Sequence, residues 1–146
     1  MAEYPMNFTA NTTAAAGIPT PWTATTGDNR TLDCSVPKEF SGPGLGFSPE
    51  DLFILALINC YIATFKVIAA NSKFNFGTIE GHAKLTLDRD TGAPTPWMKE
   101  AELHFTLLGV ENEDKALRLL ERVSKQCMVV NSVKTKVTFK FRVAAS

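Results

Sequence analysis

The sequence predicts an α+β domain, with curved antiparallel β-sheets set around or against a long central helix. Three observations carry this. A strong helix-start signal at Ser48 opens a long apolar run, a second and amphipathic helix pattern follows near residues 113–126, and three segments alternate apolar with polar residues.

Trp22–Thr26, the turn residues Gly27-Asp28-Asn29 and then Arg30–Val36 read as a β-hairpin. Pro37 to Pro49 holds three prolines and three glycines and reads as a loop. Ser48 is a good N-cap, Pro49 suits the first helical position, and Glu50 and Asp51 place negative charge in the first turn. Asp51 has the spacing to imitate a capping box with Ser48. The helix should run from Pro49 to about Ala70. Leu52, Phe53, Leu55, Leu57, Ile58, Tyr61, Ile62, Phe65 and Ile68 make it apolar on nearly every face, as in a helix buried all round. A chain this small can hardly wrap such a helix alone, which points to a dimer.

Ile79 to Leu87 and Ala101 to Leu107 alternate as a long antiparallel hairpin with one wet face, joined by the turn-rich segment Asp88 to Pro96. Ala116, Leu119, Leu120, Val123 and Cys127 form the stripe of a second helix over Glu113 to Gln126. Val137, Phe139, Phe141 and Val143 mark a third strand of the alternating kind.

The 146 residues suit one domain, 1–146, large enough to bury most of its apolar surface. A composition of 45% hydrophobic and 21% charged residues is that of a soluble globular protein. Fifteen basic residues balance fifteen acidic ones, so nothing favours a nucleic-acid or membrane partner. The N-terminus lacks the basic and apolar stretches of a signal peptide, and Asn59, Thr64 and Lys66 interrupt the longest apolar run. Three cysteines in such a chain point to the reducing cytoplasm, where a working cysteine is redox-active or catalytic.

Cys60 lies within the apolar helix and Cys127 ends the stripe of the second, so both face the core. Position alone favours two packed, inert thiols, as it does for Cys34 in the hairpin. A functional reading needs activation, because only the thiolate attacks peroxide. The helix dipole acts within about one turn. Cys60 lies ten residues beyond Glu50, roughly 15 Å along the axis, so a cation from another segment must act. Arg30 and Lys38 are the nearest candidates before the helix, and both also read as surface charges. Glu50 is either a helix-start charge or meets Cys60 of a partner chain. His82 and His104 fall on polar strand sides without metal-ligand spacing. No phosphate-binding glycine pattern or serine elbow is present, so the residues imply neither a cofactor nor a metal.

Three runs resemble the OsmC/Ohr family, that of osmotically inducible protein C and the organic hydroperoxide resistance proteins. They are Pro37-Lys38-Glu39-Phe40-Ser41-Gly42-Pro43-Gly44, Ser48-Pro49-Glu50-Asp51-Leu52-Phe53 and Asn59-Cys60-Tyr61. Cys127 to Ser132 resembles the family's Cys-Pro-Val-Ser-Asn segment, with Met128 in place of proline. The resemblance spans roughly Asn29 to the C-terminus.

It implies an OsmC-like fold and an intertwined homodimer with two interface sites. It also implies a stress-response peroxidase that reduces organic hydroperoxides through Cys60 as peroxidatic thiolate and Cys127 as resolving thiol. Glu50 matches the glutamate that orients an activating arginine, for which Arg30, in a shorter hairpin, is the approximate match. Lys38 stands where another branch of the family places its arginine. A dithiol reductant, in this family often a lipoylated protein, would restore the thiols. Phe47, Phe53 and Tyr61 would wall the site and favour bulky organic peroxides. Two other classes compete: a dimeric module binding a small apolar ligand, in which the cysteines only pack, and a purely structural subunit.

Overall fold

The computed structural model describes residues 2–145. The chain divides into two compact units, Met1–Leu52 and Phe53–Ser146.

The first unit is a three-stranded antiparallel meander of β1 (Ala10–Thr13), β2 (Trp22–Thr26) and β3 (Thr31–Cys34), in that order. The β2–β3 hairpin is the expected one, and Asn29 takes the positive φ of 65° that its turn needs. Strand β1 lies before the expected hairpin, in a segment to which the sequence assigns no element. All four of its residues are exposed, so burial left no alternation to read. Strand β3 stops at Cys34, short of Val36, because the loop chain comes alongside. Phe47 donates to the Asp33 carbonyl at 2.8 Å, and Ser35 donates back to Phe47 at 3.2 Å. A glycine at 46 permits this approach, since a Cβ there would sit 2.6 Å from the Asp33 carbonyl oxygen.

Helix α1 (Pro49–Asn71) opens with the expected capping box. The Ser48 amide donates to Asp51 Oδ2 at 3.0 Å, and the Asp51 amide donates to Ser48 Oγ at 3.1 Å.

The second unit is built on β4 (Thr78–Asp88), β5 (Trp97–Leu108) and β6 (Lys136–Ala144), with α2 (Glu113–Gln126) between β5 and β6. β4 and β5 are antiparallel, as expected. β6 pairs with β5 in parallel, which departs from an all-antiparallel sheet. The physical reason is α2: a helical crossover returns the chain to the end of the sheet where β5 began. Asn112 caps α2 through its side-chain oxygen, which accepts from the Lys115 amide at 3.0 Å.

Period-two alternation gives the sheet one apolar face. Ala101, Leu103, Phe105 and Leu107 of β5 are buried there with the stripes of both helices. Gly81 on β4 lets α1 lie close, since a Cβ would meet Ile58 Cδ1 at 2.8 Å. By length and composition α1 would suffice to cross a membrane, yet its buried stripe of Leu57, Tyr61, Phe65, Ile68 and Ala69 is part of this core. The expectation of burial on every face does not hold within one chain. Only 28% of the most apolar 18-residue window is buried, because one sheet covers one side of a helix. Leu55 and Val67 stay 40% and 60% exposed.

Candidate functional site

α1 and α2 bring Cys60 and Cys127 together. Cys60 lies on α1 between the buried stripe and the uncovered face of Leu55, Ala56, Asn59, Ala63 and Val67, and it is partly accessible. Cys127 caps the C-terminus of α2 and has no exposed surface. Cys60 lies close enough to Cys127 to bear on its ionisation, and both thiols are free. Burial pushes the Cys127 thiol up to about 12, and the neighbouring Cys60 adds to the rise. At neutral pH Cys127 is therefore a thiol and not a thiolate.

Around this pair the packing is tight. Tyr61 has no exposed surface. Its ring stacks on Phe105 with centroids 4.6 Å apart, and its hydroxyl donates to the Leu120 carbonyl of α2 at 2.6 Å. Burial, with Cys127 and Glu121 nearby, pushes the phenol well above its ordinary range, so it stays a donor. Tyr61 is thus part of the core and cannot wall an accessible pocket, contrary to expectation. Phe53 does line a groove of about 340 Å³, together with Trp97, Met98, Val133, Lys134 and Thr135. It lies seven residues before Cys60 on the same helix face. Lys134 Nζ sits 4.4 Å from the centre of the Trp97 ring at this groove.

Two polar neighbours of the thiols were not singled out from sequence. Thr64 Oγ1 lies 4.0 Å from Cys60 Sγ, one helical turn on, and the i, i+4 spacing was the available signal. Asn131 donates through its side chain to the carbonyls of Ser124 and Cys127 at 2.9 and 2.8 Å.

The charged candidates lie in the first unit. Arg30 stands in the β2–β3 turn with its side chain 84% exposed, and it pairs with Asp28 at 3.2 Å rather than with Glu50. Glu50 keeps one carboxylate oxygen buried without a hydrogen-bond partner among the described residues. Lys38 opens a short 3-10 turn, is exposed, and forms no ion pair among the described residues. Phe47 is 44% exposed, and Cys34 is a packed cysteine at 4%. His82 and His104 meet edge to face on the polar side of the sheet. Among the described residues no group of three or more His, Cys, Asp or Glu is arranged to hold a metal.

Comparison with known proteins gives this arrangement a context. A family profile described as OsmC-like protein matches residues 42–142. An uncharacterized protein of Acinetobacter baylyi is 30% identical over 122 residues, 82% of each chain. Among solved structures, an OsmC-like protein of unknown function from Vibrio cholerae superposes with a TM-score of 0.81 at 16% identity, covering 94% of this chain and 99% of that one. An organic hydroperoxide resistance protein OsmC from Legionella pneumophila superposes with a TM-score of 0.74 at 22% identity, covering 97% of this chain and 99% of that one. At these identities the superpositions speak for the fold alone.

Proposed function

The chain belongs to the OsmC-like protein family, and on that premise we propose that it is a cysteine-based peroxidase that reduces organic hydroperoxides. The observation that carries this reading is the unequal cysteine pair: a partly accessible Cys60 beside a fully buried Cys127 whose burial holds its thiol proton. In the proposed reaction the Cys60 thiolate attacks the distal peroxide oxygen. The O–O bond breaks, the alkoxide takes up a proton and leaves as the alcohol, and Cys60 becomes a sulfenic acid. Cys127 then condenses with it to a disulfide and water. A dithiol, for which a lipoylated protein is the candidate, restores both thiols by exchange. A thiol held near 12 suits the resolving position and not the attacking one. The name of the Legionella relative supports the substrate class.

The proposal extends to the whole 1–146 chain as one domain working as a cytoplasmic homodimer. The family match crosses the boundary between the two units, which supports a single domain. The uncovered apolar face of α1 supports the dimer. The unpartnered oxygen of Glu50 supports its role as the group that orients an activating cation, Arg30 or Lys38.

One observation favours a second reading. The groove beside Phe53 is of a size to take a small apolar ligand, and in that reading the cysteines only pack. Intact mass under non-reducing conditions, after one equivalent of cumene hydroperoxide, separates the two. Loss of two hydrogens, mapped to a Cys60–Cys127 bridge, is expected of the peroxidase. Cys60→Ser should abolish peroxide consumption, and Cys127→Ser should leave a sulfenic acid that dimedone traps. An unchanged mass in the unsubstituted protein would leave the binding reading.

A further inference from the structure

If Cys60 is the peroxidatic thiol, Cys127 must find it again after oxidation, and the main chain around Cys127 is held in a way that serves this. Helix ends leave carbonyls without intrahelical partners. Cys127 is the C-cap of α2, in an extended conformation at φ −69° and ψ 109°. Its amide donates back to the Val123 carbonyl at 2.8 Å. Beyond it the chain lacks a proline to restrict its path, and Met128 points away, 68% exposed.

Two side chains supply the restraint. Asn131 turns its Nδ2 onto the carbonyls of both Cys127 and Ser124, and its main-chain amide adds a second bond to the Cys127 carbonyl at 3.1 Å. Ser132 Oγ donates to the Met128 carbonyl at 2.6 Å. Asn131 thereby fixes the peptide group after Cys127 and Ser132 the next one, while the amide bond to Val123 holds the peptide before it and the thiol lies in the core.

We propose that Asn131, assisted by Ser132, is a positioning residue for the resolving step, holding the main chain of Cys127 so that its thiol stays against Cys60. In that step the S–O bond of the Cys60 sulfenic acid and the S–H bond of Cys127 break, and the S–S bond forms. The thiol hydrogen leaves with the hydroxyl as water. The sulfenic sulfur is reduced and the Cys127 sulfur oxidised by the same amount, so no further oxidant is needed. A thiol fixed at the reacting atom acts at high effective concentration, and one that wanders leaves the sulfenic acid open to further oxidation.

Quenched-flow mixing of reduced protein with one equivalent of cumene hydroperoxide follows both steps, with peroxide loss reporting the first and disulfide mass the second. In Asn131→Ala, peroxide loss should keep the unsubstituted rate, while disulfide formation slows about tenfold or more and dimedone-trapped sulfenic acid accumulates. Adding Met128→Pro to Asn131→Ala should restore much of the disulfide rate. The Met128 amide makes no hydrogen bond among the described residues, and Cys127 already has the extended backbone that proline favours in its predecessor. If Asn131→Ala does not fold, Asn131→Asp keeps the size, removes the donor and is read in the same way.

Disulfide formation at the unsubstituted rate in the Asn131 variant would overturn the positioning role while leaving the peroxidase reading intact. Equal slowing of both steps would also overturn it, by showing general loosening. An unsubstituted protein that consumes no peroxide would remove the peroxidase reading and this inference with it.

Discussion

Tyr61 donates its phenolic hydrogen to the carbonyl of Leu120 at 2.6 Å, and so ties the helix that carries Cys60 to the helix that ends at Cys127. The bond is fully buried, and the same ring stacks on Phe105 and packs against Phe139 of the sheet. One side chain thus links α1, α2 and the sheet beside the thiols. Tyr61→Phe keeps the ring and removes the bond. It should cost about 1 kcal/mol of stability, read as a lower urea midpoint at unchanged slope. A larger loss with a changed slope would mean that the hydroxyl holds the two helices in register and not just in contact.

Burial of Cys127 makes a prediction about alkaline stability. Its folded value of about 12 lies above the ordinary thiol value of about 8.5. Below the ordinary value both folded and unfolded chains hold the proton, and the group is neutral in the balance. Between the two values the unfolded chain releases the proton and the folded chain keeps it, so stability falls as pH rises through that window. The slope approaches at most about 1.4 kcal/mol per pH unit. Urea unfolding of reduced Cys60→Ser against Cys60→Ser with Cys127→Ala, from pH 7 to 11, isolates it. The double variant should start less stable and lose less as pH rises. Parallel curves would mean that Cys127 titrates as a free thiol.

The uncovered face of α1 sets a test of assembly. Val67 is 60% exposed on a helix whose apolar residues continue past the stripe that one chain buries. Sedimentation should find a dimer at micromolar concentration. Val67→Asp places a charge on that face without touching the buried stripe, and it should weaken association at least about a hundredfold. A stable monomer in the unsubstituted protein would remove the homodimer from the proposal.

How far the sequence can be read depended on whether a residue's environment is local. α2 was legible because Ala116, Leu119, Leu120 and Val123 repeat at helical spacing toward one core, and its bounds held though its cap, Asn112, was not read. The capping box of Ser48 and Asp51 spans three residues and was legible for the same reason. β1 was not, since its four residues are all exposed and carry no burial pattern. The inward direction of Cys127 followed from helical spacing, whereas Cys60, also expected to face the core, stays partly accessible because one side of α1 is left uncovered. The bond from Tyr61 to Leu120 did not follow from spacing, because only the tertiary packing brings those positions together. The parallel pairing of β5 with β6 was hidden likewise, as alternation specifies a face and not a direction. The pairing of Arg30 with Asp28, two residues away, competes with any longer-range role and is invisible to a motif match.

That competition makes Arg30 and Glu50 the most informative charges to change. Arg30 is 84% exposed and bound to Asp28 through a surface pair, the kind that contributes little and exchanges easily. Glu50 carries a buried oxygen that lacks a donor among the described residues, and a buried carboxylate without partners is costly. Both conditions are relieved if Arg30 leaves Asp28 for Glu50 in the assembled protein, where its guanidinium would favour the Cys60 thiolate. Arg30→Ala should then slow iodoacetamide labelling of Cys60 and peroxide consumption together, by about tenfold or more at pH 7. Glu50→Gln should give a smaller change in the same direction, since it loosens the arginine without removing it. Asp28→Ala should leave both rates equal or faster, by releasing Arg30 from its surface pair. If Arg30→Ala changes neither rate and Lys38→Ala slows both, the activating charge is the lysine before the glycine loop, and Arg30 is only a turn residue paired with its neighbour.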